Sequence, residues 1–191
     1  GKKPILINDL KVLIKAIHQS NEKDIRKFRD KALVLIGFSG GFRRSELVNI
    51  EHEDLEFVKE GVKIFVKRSK TDQSGEGMTK AIPYFESEIF CPVKALNKWI
   101  KEADLKEGKI FNISDKSVAL VIKKYANYAG LDSHGYAGHS LRSGFATSTA
   151  ESGAEERNIM AMTGHKSTEM VRRYIKEANL FKNNALNKIK I

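Results

Sequence analysis

From Ile7 to Gln19 the chain reads "INDLKVLIKAIHQ", with apolar residues recurring every three to four positions behind Asn8 or Asp9. That period predicts an amphipathic helix capped by one of those two side chains. "NEKDIRKFRDKALVLIGFSGG" repeats the pattern from Asn21 and breaks at Gly40 and Gly41, and a further helix is predicted from about Arg43. Between Leu55 and Phe85 the pattern changes. "LEFVKEGVKIFVKRSKTDQSGEGMTKAIPYF" carries short β-branched and aromatic runs around Glu60-Gly61 and a polar, glycine-bearing loop, which predicts a small antiparallel sheet. Helical periods then return. Pro92 opens "PVKALNKWIKEADL", Ser114 or Ser117 opens "SVALVIKKYANYAGL", and three more helices are predicted from His139 to about Ile175. The tail "EANLFKNNALNKIKI" is expected to form one more short helix, which leaves Leu180, Phe181, Leu186 and Ile189 without a place in the core. The fold class expected is α+β: mainly α with a small antiparallel β-sheet, and with no internal repeat or low-complexity linker.

Composition sharpens this picture. A length of 191 residues supports one domain with a substantial core and is short for two. Lysine and arginine number 34 against 24 acidic residues, a net charge of +10, so a polyanion such as nucleic acid leads among partners, with a merely solubilising basic surface as the even alternative. The single cysteine, Cys91, rules out an intrachain disulfide framework and fits a reducing cytosol. Five histidines, at 18, 52, 134, 139 and 165, have no zinc-ligand spacing, and no metal is expected. The longest apolar run, "ALVLIGF", is too short to span a bilayer, so no membrane partner is expected. The amino end, "GKKPILINDL", lacks both a signal-peptide pattern and a starting methionine and reads as a fragment or processed chain.

Several short strings hold residues suited to chemistry on an anion. In "GHSLRSGFAT", His139 and Arg142 stand three apart and share a helix face. Taken alone, they are better explained by a capping histidine and a solvated arginine. In "GGFRRSELVNI", Arg43 and Arg44 follow a glycine pair, with Glu46 three residues after Arg43, so an arginine there can meet a phosphate at a helix start. The plainer alternative is a basic helix terminus capped by Ser45. Lys70 lies in the polar loop and by itself has no assigned role. Tyr174, in "TGHKSTEMVRRYIK", by itself is a half-buried amphipathic ring.

In combination they say more. Arg43 in "GFRRSEL", Lys70 in "SKTD", His139 and Arg142 in "HSLR", His165 in "TGH" and Tyr174 nine residues later form an ordered set that resembles the active site of the tyrosine recombinases, also called phage-type integrases. The resemblance runs from about Lys31 to Tyr174. It implies a catalytic domain over residues 1–176, a tail over 177–191 that docks on a neighbouring protomer, and a core-binding domain that lies outside this chain. It further implies a site-specific recombinase of bacterial, phage or mobile-element origin, acting in the cytoplasm on double-stranded DNA. Such an enzyme is monomeric without DNA and tetrameric on paired sites, and it works through a 3′-phosphotyrosyl link without cofactor, metal or ATP.

The chemistry accounts for the residue types. A phosphodiester resists nucleophiles until charge on its nonbridging oxygens is neutralised, and the arginine fork does this in bidentate fashion at any working pH. The resemblance gives that role to Arg43 and Arg142, a third hydrogen bond to His165, and nucleophilic attack to Tyr174. A phenol of pKa near 10 needs a base, here His139, and the leaving 5′-oxygen needs an acid, here Lys70. Glu46 would orient His139 or an arginine, and Arg44, Lys67, Arg68, Arg172 and Arg173 are candidates for DNA contact. Two other readings fit the same residues: nicking and resealing like a type IB topoisomerase, and a catalytically inactive DNA-binding domain of the same fold.

Overall fold

The structure is a computed structural model and describes residues 1–67, 75–165, 168–182 and 184–190. Helices α1 (Ile7–Gln19) and α2 (Asp24–Ser39) come first, then the short α3 (Arg44–Val48). Strands β1 (Leu55–Val58), β2 (Gly61–Val66) and β3 (Met78–Pro83) follow, and then α4 (Pro92–Glu102), α5 (Asp115–Tyr128), α6 (Ser140–Glu151), α7 (Glu156–Thr163) and α8 (Thr168–Asn179).

The run that was too short for a membrane is the centre of the core. From Ala32 to Phe38 every residue of α2 is buried, because α1, α4, α5 and α6 all pack against it. Each fully buried Leu or Ile there contributes about 1.5–3 kcal/mol. A buried carboxylate pins α5 to this helix: Asp30 accepts from the Tyr125 hydroxyl at 2.6 Å and from Arg29 Nε at 2.9 Å. With both oxygens satisfied, the charge is tolerated inside. The sheet is antiparallel in the order β1-β2-β3, with Leu55 opposite Ile64 and Val62 opposite Ile82. Its alternation turns Val62, Ile64, Val66 and Ile82 inward, and Lys80 with them.

A second, much smaller core joins α6, α7 and α8. Ala150, Ile159 and Val171 are its buried members, and Tyr174, Ile175 and Ala178 pack on them. Ala178 explains why α8 continues to Asn179, beyond the end expected near Ile175.

Three local expectations need correction. Leu6, not Asn8 or Asp9, occupies the cap position of α1, and Asn8 and Asp9 lie inside its first turn. Ser45 lies inside α3, whose cap position is Arg43. The tail forms a single 3₁₀ turn, Ala185–Lys188, started when Asn184 Oδ1 accepts the Leu186 N–H at 2.9 Å. Of the two candidate serines, Ser114 caps α5 by accepting the Ser117 N–H.

Candidate active site

The site grows from the turn that ends α2. Gly41 has φ +57°, and a Cβ there would lie 2.8 Å from the Phe145 ring, so glycine alone turns the chain at this point without strain. Phe42 is then buried, and Arg43 emerges at the start of α3. Glu46 secures it, since its Oε1 accepts the Arg43 N–H at 2.8 Å and its Oε2 lies 3.6 Å from Arg43 Nη1. Arg142 enters from α6. Its Nη1 donates to the Gly41 carbonyl at 2.9 Å and stands 3.9 Å from Glu46 Oε1. Its Nη2 is buried and has no hydrogen-bond partner among the described residues. A guanidinium N–H left in that condition is costly, and an anionic oxygen is the acceptor that would satisfy it best.

His165 closes another side. Gly164, at φ +69°, ends α7 in the left-handed conformation and turns the chain so that His165 folds back. His165 Nδ1 is 2.7 Å from Thr163 Oγ1, and the Thr163 hydroxyl spends its proton on the Ile159 carbonyl at 3.0 Å. Nδ1 therefore carries the ring proton, and Nε2 of the neutral imidazole is bare. Burial, then the charges of Arg142 and Arg43, bring His165 down to about 4, so it is neutral at pH 7. Burial and Arg43 also lower Arg142, to about 10, against the pull of Glu46 and Tyr174, and it stays charged. Tyr174 lies within electrostatic reach of Arg142 and is half-buried against the small core.

The remaining predicted residues divide. His139 holds the cap position of α6 with an exposed ring that makes no capping bond, although its helical neighbour Arg142 is buried. Arg44 pairs with Asp115 at 3.4 Å, Arg172 with Glu156 at 3.1 Å and Arg173 with Glu177 at 3.3 Å. Lys67 is held among Glu51, Glu53 and Asp54 at 3.1–3.5 Å. Lys70 and Arg68 lie outside the described residues. Two residues that sequence reasoning passed over belong to the cluster: Thr163, and Lys80, whose charge acts on His165. The alternation of "MTKAIP" held a signal for Lys80, because it sets the lysine on the same face as Met78 and Ile82.

A family model described as the phage integrase family matches residues 7–180. The chain belongs to this family. Among relatives of this integrase-family chain, the "integrase/recombinase xerD homolog" of Selenomonas ruminantium is 48% identical over 99% of the chain and 58% of its own length. The tyrosine recombinase XerA of Pyrococcus horikoshii is 29% identical over 85% of the chain and 55% of its own length. The chain spans about half the length of the curated relatives it matches. In fold it is similar to the XerH site-specific recombinase solved bound to palindromic difH substrate in a post-cleavage complex, with TM-score 0.75, 18% identity and coverage of 96% of this chain and 54% of that one. It is also similar to the catalytic domain of bacteriophage HP1 integrase, with TM-score 0.61, 19% identity and full coverage of both chains. The mainly helical architecture with one small antiparallel sheet is thus that of an integrase catalytic domain. Among the described residues, no helix is long and apolar enough to cross a membrane.

Proposed function

We propose that this chain is the catalytic part of a site-specific DNA recombinase that cuts and rejoins strands through a phosphotyrosine. The observation that carries the reading is the buried Nη2 of Arg142, without a hydrogen-bond partner among the described residues, in a cluster with Arg43 and His165 and within electrostatic reach of Tyr174. Arg43 and Arg142 hold the nonbridging oxygens of one phosphodiester. The Tyr174 oxygen attacks phosphorus, its proton passes to His139, and the P–O bond to the 5′-oxygen breaks as Lys70 supplies that oxygen with a proton. The products are a 3′-phosphotyrosyl link and a free 5′-hydroxyl, and the reverse reaction with a partner strand reseals DNA without ATP. The bound phosphate's negative charge raises His165, so that Nε2 gains a proton and donates the third hydrogen bond.

Leu180, Phe181, Leu186 and Ile189 are 58%, 85%, 69% and 58% exposed, which favours assembly over the solitary action of a topoisomerase. The tail docks on a neighbouring protomer when sites are paired, and the free domain is monomeric. Arg44, Lys67, Arg172 and Arg173 exchange their present partners for DNA phosphates, and Arg68 contacts the DNA with them. The test is a nicked suicide duplex incubated with the protein, resolved under denaturing conditions and mapped by mass spectrometry. A covalent adduct on Tyr174 is expected. No adduct, or an adduct on another residue, would refute the assignment.

A further inference from the structure

Lys80 is completely buried at an inward position of β3, between Met78 and Ile82. An apolar side chain would fill that position without the cost of desolvating an ammonium. Its bonded partner is a backbone carbonyl rather than a carboxylate: Nζ donates to Gly40 O at 2.7 Å and lies 4.4 Å from the centre of the Phe42 ring. The next carbonyl along, Gly41 O, is the one that takes Nη1 of Arg142. Two cations from different elements are therefore clipped to successive carbonyls of one turn, just ahead of Arg43. The same strand reaches the other side of the site, where a Cβ on Gly164 would lie 2.9 Å from Met78 Sδ. Burial brings Lys80 down to about 7, opposed by Glu46 and aided by Arg142 and Arg43.

We infer that Lys80 is a positioning residue for the phosphate-binding arginines: by holding the Gly40 carbonyl it fixes the turn that aims Arg142 and presents Arg43. This inference rests on the recombinase reading above. It makes β3 a strut that braces the turn from which the arginines project. Lys80 itself touches no reacting atom.

A charge-selective substrate pair separates this role from a purely structural one. Suicide DNA is prepared with an ordinary scissile phosphate or with a methylphosphonate, in which a methyl group replaces one nonbridging oxygen and removes the charge. With the complete chain, Lys80→Met should lose on the order of 10- to 100-fold in adduct formation on the phosphate, the usual effect of disturbing a supporting partner. On the uncharged link, exact aim of the arginines matters less, and the loss should shrink to about threefold. Lys80→Gln, which keeps an N–H donor, should show a smaller loss, again confined to the phosphate. Thermal melting establishes that each variant is folded. Equal losses on both substrates, no loss on either, or failure of both variants to fold would overturn the inference. Absence of an adduct with the wild-type chain on phosphate would instead overturn the recombinase reading, and this one with it.

Discussion

Arg43 and Arg142 are anchored to the large core, through a turn that ends a helix buried from Ala32 to Phe38, whereas Tyr174 rides on α8, whose one buried residue is Val171. Under the mechanism proposed above, the difference separates two catalytic requirements. Electrostatic stabilisation works best when the charges are held in place before the reaction, and a large, fully packed core provides that rigidity. A nucleophile must be delivered at the right moment and withdrawn afterwards, which suits an element with few buried contacts and a low free energy of local opening. The tail extends this gradient, with Leu180, Phe181, Leu186 and Ile189 in solvent.

The largest expected effect separates the two regions by chemistry. Tyr174→Phe removes only a hydroxyl, so adduct formation should vanish while DNA affinity persists and stability changes by no more than about 0.5 kcal/mol. Arg142→Ala should slow cleavage on the order of 10²- to 10³-fold, weaken DNA binding and destabilise the fold, because the Gly41 carbonyl loses its donor and Glu46 loses a cation. Calorimetry and adduct kinetics on the two variants measure the contrast. An Arg142 variant as stable as Tyr174→Phe would detach the cage from the core.

Packing should show the same asymmetry. Ile36→Ala in α2 is expected to cost about 2–5 kcal/mol of global stability in denaturant titrations. Val171→Ala removes the equivalent of two methylenes, roughly 1.6 kcal/mol. Hydrogen exchange should find α8 amides opening locally while α2 amides exchange only on global unfolding. Equal protection of the two helices would abolish the distinction.

The large core was legible in the sequence because it obeys local rules. Apolar period, glycine pair and Pro92 each act over a few residues, and α2, α4 and the sheet follow from them. The site was legible as a set of residue types, but its geometry depends on contacts distant in the chain. Asp9 is no cap because α1 begins two residues before it, at Ile7, and Arg44 reads as free until Asp115 is folded beside it. Lys80 is the instructive case. "MTKAIP" alternates in the usual way, yet only pairing with β2, with Val62 opposite Ile82, decides which face is inward, and a lysine on its own reads as solvated.

That buried lysine gives a pH test of the rigid region. Its pKa is lowered from 10.5 to about 7 in the folded state, so between those values the unfolded chain binds more protons than the folded one. Stability therefore rises with pH in that window, by up to about 1.4 kcal/mol per pH unit for one proton, and the full penalty is present below about pH 7. Lys80→Met should lack this increment, so the wild type should gain on the variant as pH goes from 8 to 10. Parallel stability curves for the two proteins would show that Lys80 is not buried as a cation-deficient group.

The smallest expected effect lies at the opposite end of the gradient. Leu180 and Phe181 follow directly on α8, Leu186 lies in the 3₁₀ turn and Ile189 follows it, all four largely in solvent, while the last described residue to pack on the small core is Ala178. Deleting residues 180–191 removes exposed apolar surface and leaves every member of that core in place. Stability should then change by no more than about 0.5 kcal/mol, and the nick-trapped adduct on a single site should form at the wild-type rate. Assembly on paired sites is where the deletion should act, because four exposed apolar side chains make a contact surface only when a second molecule covers them. Native gels with one-site and two-site duplexes separate the two effects. A deletion costing more than about 1 kcal/mol would place the tail in the small core of its own chain, and α8 would then be held from both sides, with the tyrosine on an element as fixed as the arginines.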